Sequence, residues 1–396
     1  MDVLISGMGI AGPTLAWWLR RGGHRPVIVE EADQLRTGGY IIDFWGLGYD
    51  IADRMGIIPR LRDVGYFAEE IRFVDEEGHR SGGFSADVFK RATNGRYVSL
   101  PRSELSAVIV DAIRDDVDII WGDSIVAIDQ QDDRARVQFR NAPARSFDVV
   151  VGADGLHSNV RRLCFGEQAT YERYLGYQVA AFETQGYPHR DENVYVSFSK
   201  PGLQVDRFSL RDDGTLFMLV LHDADSSMPT HADPQLSKAL LHKRFDGLGW
   251  ETPEVLKAMD SASQLYFDRV SQIRMERWWN GRVCLVGDAA AAPSLLAGEG
   301  SGLAMIEAYV LAGELCKAAP GVALPAYQAQ VKPFIDRKQN SAEKFASSFA
   351  PKTQFGVTVR DIVSRAFGIP FVADLFLGGS LKDDFRLPDY DWPARP

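Results

Sequence analysis

Cysteine is scarce in this chain. Cys164, Cys284 and Cys316 are the 3 cysteines among 396 residues. They are far apart and odd in number, which excludes a disulfide framework and suits the reduced thiols of a cytoplasmic protein. Cys284 lies inside an apolar run and reads as a small core residue. The 7 histidines are scattered singles, and no Cys or His pair stands at the spacing of a metal site. Basic charge is in deficit. With 44 Lys and Arg against 54 Asp and Glu, the formal charge is −10, which argues against nucleic acid or an anionic membrane as partner. No uninterrupted apolar run reaches the ~18 residues of a membrane span. The first strand begins almost at once, so no signal peptide is expected.

What remains is ordinary for a soluble protein: 45% hydrophobic and 25% charged residues. The length exceeds one hydrophobic core and implies two domains with a tail.

The first thirty residues organise the rest. Val3 to Ser6 reads as a strand too apolar to face water on either side. Gly7-Met8-Gly9-Ile10-Ala11-Gly12 follows, and Pro13 stands in a first helical turn, where its missing N–H costs nothing. Leu15, Trp18 and Leu19 share one helical face. Gly22-Gly23 ends the helix, and Val27 to Val29 is a second buried strand closing on Glu30 and Glu31. Gly7 makes the tight turn, Gly9 admits a pyrophosphate, and Gly12 lets helix and strand pack closely. The free N–H groups around Ile10 and Ala11 then meet phosphate charge. Glu30 stands where an acid accepts hydrogen bonds from an adenosine ribose. Glycine-rich turns are common; the two strands, the helix and the acid together make this a nucleotide site.

Two further strand ends carry polar glycine turns. Phe147 to Val151 delivers Gly152-Ala153-Asp154-Gly155-Leu156-His157-Ser158-Asn159-Val160-Arg161, with Ser158 as a helix N-cap. Arg282 to Val286 delivers Gly287-Asp288, then Ala289 to Leu296, Gly298-Glu299-Gly300-Ser301 and a helix to about Lys317. Between them, residues 173 to 267 read as strands with short returns, an antiparallel sheet. Leu324, Tyr327, Val331, Phe334 and Phe345 repeat at helical spacing, and the polar, proline-rich stretch Leu387 to Pro396 is expected to be loosely held. The resulting division is an α/β chain. Residues 1–70, 97–172 and 268–320 form a Rossmann-like nucleotide-binding domain. Residues 71–96 and 173–267 form an inserted α+β domain on the antiparallel sheet, and 321–396 a C-terminal helical tail.

Three strand-turn-helix motifs in this order resemble the group A flavoprotein monooxygenases, the para-hydroxybenzoate hydroxylase fold. Residues 7 to 12 match that family's FAD pyrophosphate turn. Asp154-Gly155, Ser158, Val160 and Arg161 match its DG motif, and Gly287-Asp288-Ala289-Ala290 with Gly298 and Gly300 match its GD motif. Gly38-Gly39 through the Asp43 region, Leu100-Pro101-Arg102 and the helical tail look most like the tetracycline-inactivating and polyketide-hydroxylating branch. The resemblance implies that Glu30 binds the FAD ribose, Asp288 the ribityl chain or pyrophosphate, and Arg102 the flavin or its ribityl chain. It places Asp154 where FAD and NAD(P)H binding are linked. The helix opening at Gly300-Ser301 would point its positive end at the flavin pyrimidine ring. Three positions depart from the family: Ala291 where histidine is common, Ser294-Leu295 with the proline displaced to Pro293, and Gly302 in place of an asparagine.

The implied reaction uses NADPH or NADH to reduce the flavin, after which O2 adds at C4a. The hydroperoxide then passes an oxygen to an electron-rich carbon of an aromatic, polyketide or tetracycline-like substrate in a dry cavity. No Ser-His-Asp or metal constellation is expected, and none is visible. Gln178, Arg207, Phe217 and the Ser294 to Ala297 loop, Leu295 included, are candidate substrate liners. No second glycine fingerprint exists for the nicotinamide nucleotide, which fits the family. Two alternatives stay open: a flavin-binding protein without oxygenase turnover, acting as sensor or partner subunit, and a flavin dehydrogenase on the same fold. The oligomeric expectation is monomer or homodimer.

Overall fold

The computed structural model describes residues 1–35, 38–224, 233–367 and 383–392, with the side chains of 344–348 left aside. Phe345, one of the residues expected at helical spacing, is thus outside the described side chains, as are 393–396 of the tail.

The four apolar runs read from the sequence form one sheet, to whose edges Asp118–Trp121 and the short Trp279–Asn280 are added. Its strand order is Trp279–Asn280, Val283–Leu285, Val149–Gly152, Asp2–Ser6, Arg25–Glu30, Asp118–Trp121. All neighbours are parallel except the short Trp279–Asn280 edge. Val3, Leu4, Ile5, Ile28, Val149, Val150, Val151, Val283, Cys284 and Leu285 are all fully buried, as a parallel sheet covered on both faces requires. Asp2–Ser6 pairs on both sides, with Arg25–Glu30 and with Val149–Gly152. The chain therefore leaves this strand at the point where strand order reverses, and a crevice opens beyond the carboxyl ends. Gly7, Glu30, Asp154 and Gly287 all lie at those ends.

A second sheet of seven strands runs Tyr266–Ile273, Glu172–Gln185, Gly214–His222, Leu203–Ser209, Val194–Lys200, Glu70–Val74, Arg80–Ser85. It is antiparallel apart from the Val194–Lys200 and Glu70–Val74 pair. Directly paired residues share a face, so the register sorts its side chains. Ala180, Phe182, Val205, Phe217, Leu219 and Leu221 pack with Leu241, Phe245, Val255, Leu256 and Met259 of helices Pro234–Phe245 and Thr252–Ser261. On the other face, Tyr177, Val179, Val220 and Val270 pack with Leu295 and Leu296. Phe208 and Leu216 there meet Ile41 and Tyr66. This second face roofs the crevice.

Helix Gly300–Lys317 is buried almost all round and packs against helix Ala11–Arg21. Helix Pro320–Phe349 continues through Pro325 and Pro333, and Gln354–Ala366 follows.

The described part of the stretch expected to be loose, 387–392, is not so. Leu387 and Tyr390 are buried, Tyr390 fills the groove that Gly313 leaves on the buried helix, and its hydroxyl donates to Glu314 at 2.9 Å. The Trp392 ring stands 4.7 Å from Trp18 and 5.7 Å from Tyr309. Proline and polar residues here give an extended strap, and its two aromatic rings supply the apolar area that holds it. Tyr390→Ala empties that groove and is expected to cost about 3–5 kcal/mol, read as a lowered midpoint in urea titration.

Candidate active site at the carboxyl ends of the parallel sheet

The glycine turn is drawn tightly between strand and helix. Gly7 has φ +112°, and a Cβ there would lie 2.5 Å from the Ala153 carbonyl oxygen, while its N–H donates to Val29 at 2.8 Å. A methyl at Gly12 would overlap the Gly7 carbonyl oxygen, so only glycine lets the helix start this close to the strand. Gly9 differs. The nearest group to a Cβ there is the Arg102 guanidinium at 3.6 Å, so the turn faces an open, cationic space. Helix Ala11–Arg21 begins at the buried Ile10 with no capping side chain and no acid in its first turn, which leaves its first N–H groups free for an anion. Ser106, which sequence reasoning missed, braces the turn by donating to the Met8 and Gly9 carbonyls at 3.2 and 3.0 Å. A serine inside an amphipathic helix gives no signal of that kind.

Glu30 lies beside the turn. Its carboxylate accepts from the Met8 and Ala32 N–H groups at 2.8 and 3.0 Å. Glu31 turns away, exposed, to Arg140 at 2.6 Å. Arg102 opens helix Arg102–Asp111, donates its N–H to Tyr40 at 3.0 Å, and has a guanidinium with no hydrogen-bond acceptor among the described residues. Its charge acts on Asp288, Tyr40 and Tyr266, so it stands between the glycine turn and the Gly287-Asp288 turn.

The DG segment is held by its own residues. Asp154 accepts from the Ser158 hydroxyl and from the Val160 N–H at 3.0 Å, and Ser158 caps helix Asn159–Cys164 by accepting from Arg161 N–H at 3.0 Å. Burial raises the Asp154 pKa, and Ser158 and the Val160 N–H oppose the rise. Gly155 is the turn between them. The motif's arginine is fully buried: Arg161 donates to the carbonyls of Leu156 at 2.6 Å and Ala289 at 3.0 Å and to Gln168 at 3.2 Å. It ties the DG turn to the GD turn. His157 meets Asp268 of the roof at 3.0 Å and Gln168 at 3.1 Å. Burial lowers its pKa, but Asp268, Gln168 and Glu172 together outweigh that, and the net shift is upward.

Asp288 opens the short helix Asp288–Ala291. Burial pushes its carboxyl pKa up, and the Arg102 and Arg161 charges oppose this. Gly300 faces it: a Cβ there would lie 3.7 Å from an Asp288 oxygen. Helix Gly300–Lys317, with the buried Ser301 in its first turn, starts without a capping side chain or an acid. The preceding Glu299 is drawn to Lys338 at 2.9 Å, and Lys338 also meets Asp383 at 2.9 Å. Gly298 closes the turn Leu295–Ala297. A dinucleotide cofactor fits this set: two uncapped helix starts, an arginine free of protein acceptors, and glycines whose Cβ positions face open space.

The expected substrate liners divide. Leu295 packs under the roof, and Ser294 is 3% exposed with φ +151° and a hydroxyl that has no hydrogen-bond partner among the described residues. Gln178, Arg207 and Phe217 lie on the roof's far face, registered with Leu221, Phe217 and Phe182 respectively. Phe217 stacks on Phe182 at 5.2 Å, and Arg207 is buried with Asp191 at 2.6 Å and Glu251 at 3.3 Å. The structure does not bring these three to the crevice. Both roof faces are apolar, so the period of two gives no sign of which faces inward, and a shift of one residue exchanges them. The residues facing the crevice include Tyr195 and the half-buried Asp43. One Asp43 oxygen accepts from Tyr97 at 2.6 Å, Ser99 at 2.7 Å and Tyr195 at 3.3 Å. Burial raises the Asp43 pKa, opposed by those hydroxyls.

Residues 1–337 match the family described as FAD binding domain. A flavin-dependent monooxygenase from an unknown prokaryotic organism is 33% identical over 355 residues, covering 88% of this chain and 90% of that protein. A flavin-dependent monooxygenase of Legionella longbeachae serogroup 1 (strain NSW150) is 31% identical over 405 residues, covering 99% and 98%. The crystal structure of tetracycline destructase Tet(55) superposes with a TM-score of 0.84 at 28% identity, covering 98% of each chain. With its strand-end turns, its crevice and its roof, the chain belongs to the FAD binding domain family and is a group A FAD-dependent monooxygenase.

Proposed function

We propose that this monooxygenase uses NADPH or NADH and O2 to hydroxylate an aromatic, polyketide or tetracycline-like small molecule held between roof and crevice. The observation that carries the reading is the convergence of three anion-ready or acid-bearing turns, at Gly7–Gly12, Asp154–Gly155 and Gly287–Asp288, beneath one apolar sheet face. When bound, FAD supplies electron acceptance and oxygen activation, which no side chain offers.

The chain's own residues bind, orient and exclude water. Gly9, Ile10, Ala11 and Gly12 would receive the pyrophosphate on backbone N–H groups. Glu30 would accept the ribose hydroxyls. Asp288 and Arg102 would hold the ribityl chain between them, and the start of helix Gly300–Lys317, at Gly300 and Ser301, would face the flavin pyrimidine edge with its positive end. Tyr177, Val179 and Val220, packed with Leu295, would keep water from the reacting centre. Ser294, whose hydroxyl has no partner, offers one hydrogen bond to a substrate oxygen. The likeness to Tet(55) supports a multi-ring oxygenated substrate.

The test is NADPH and NADH oxidation by the purified protein in air against phenolic acids, anthraquinones and tetracyclines, with H2O2 followed in parallel. A compound that raises the rate at least about tenfold without raising H2O2 is the expected result. Equal, slow oxidation with every compound, all of it recovered as H2O2, would overturn oxygenase turnover for these classes. Turnover with an artificial acceptor and no oxygen incorporation would favour a dehydrogenase.

A further inference from the structure

Glu307 is one of the few acids inside the molecule, and no step above uses it. It lies on helix Gly300–Lys317 and is 1% exposed. A single carboxyl oxygen accepts from the Gly287 N–H at 2.7 Å and from the Tyr327 hydroxyl at 3.1 Å. Tyr327, fully buried on helix Pro320–Phe349, also lies 3.3 Å from the Leu285 carbonyl. Three elements thus meet on one side chain: the end of strand Val283–Leu285, the helix that starts at the crevice, and the long C-terminal helix. The hydrogen bond is made to the residue directly before Asp288. We propose that Glu307 is a positioning residue that fixes the Gly287–Asp288 turn against FAD, with Tyr327 holding it in place. The inference rests on the reading of Asp288 as a cofactor contact.

The electrostatic setting gives this residue a signature. The titratable groups that face it are Asp288, Tyr327 and Cys284. Burial pushes the Glu307 carboxyl up to about 8, Gly287 N–H and Tyr327 oppose the rise, and the Asp288 charge adds to it. Glu307 is therefore neutral at neutral pH. Above about pH 8 it becomes an anion beside Asp288 and near an anionic cofactor, and like charges repel. A residue that served packing alone would not make FAD retention depend on pH in that range.

The experiment follows flavin fluorescence as FAD leaves the holoprotein on dilution, between about pH 6.5 and about pH 9.5, for wild type, Glu307→Gln, Glu307→Leu and Asp288→Ala. Wild type is expected to release FAD about tenfold more readily as pH rises through about 8. Glu307→Gln keeps an acceptor for Gly287 and cannot ionise, so it should hold FAD at neutral pH and lose the rise. Glu307→Leu strands the Gly287 N–H and should release FAD roughly tenfold to a hundredfold more readily at every pH. A wild-type rise retained in Glu307→Gln, or no rise in wild type, overturns the proposal; if the leucine variant does not fold, the glutamine profile decides alone. Asp288→Ala that holds FAD as wild type does would overturn the reading of the cofactor contact instead. Loss of FAD in Asp288→Ala together with an unchanged Glu307→Gln profile would overturn the role of Glu307 only.

Discussion

Arg161→Ala is expected to destabilise the protein by about 3–5 kcal/mol and to yield it with little or no flavin. The guanidinium is fully buried and satisfies two backbone carbonyls and one side-chain oxygen. Removing it takes the guanidinium donor from the Leu156 and Ala289 carbonyls and leaves the Gln168 oxygen to His157. It also withdraws the positive charge that opposes the upward pKa shifts of Asp154 and Asp288, so both acids are harder to keep ionised. Arg161→Lys should not restore the protein, because one ammonium cannot span carbonyls on two segments as a planar fork does. The adjacent Arg162 is exposed, and Arg162→Ala should change stability by less than about 0.5 kcal/mol. Urea unfolding with flavin content measured on the same preparations checks both. Equal stability of the two alanine variants would remove the motif arginine from its place as the tie between the turns.

Gly12→Ala carries the second large effect. A methyl there overlaps the Gly7 carbonyl oxygen and lies 3.3 Å from Ile5 Cγ2. The helix would have to move off the strand, yet its residues from Ala11 to Leu19 are all buried. A loss of about 3 kcal/mol or more and a colourless or insoluble product are expected. Gly9→Ala makes a useful contrast, since its methyl meets only Arg102, at 3.6 Å. That variant should unfold with the wild-type urea midpoint and still bind FAD poorly, its methyl occupying the space of the pyrophosphate. A Gly12→Ala protein as yellow and as stable as wild type would show that the turn tolerates what its geometry forbids.

Much of this site was legible in the sequence because its signals are local. A buried strand, a glycine turn and a helix start lie within a dozen residues of one another at Gly7, and Gly12 answers to a steric demand made by its near neighbours Gly7 and Ile5. Ser158 was legible as an N-cap for the same reason. What escaped was set by distant chain. The inward face of the roof depends on which side helices Pro234–Phe245 and Thr252–Ser261 cover, and no run of alternating residues records that choice. Asp43 owes its setting to Tyr97, Ser99 and Tyr195 on two other strands. Glu307 reads as one more polar residue in a helix until strand Val283–Leu285 and Tyr327 are seen on either side of it. The strap at 387–392 looked loose because composition weighs proline and charge. Its anchorage depends on a groove that Gly313 opens far upstream.

That strap also bears on the timing of folding. Trp18 belongs to the helix that begins at the glycine turn, and Trp392 covers it. A ribosome adds Trp392 long after the glycine turn has left the exit tunnel, and domains are completed as units during synthesis. The first helix must therefore wait, one aromatic face uncovered, until the strap at 387–392 has been made. A nascent chain halted before residue 383 would carry every glycine of the fingerprint and yet lack the closure that holds its helix in place.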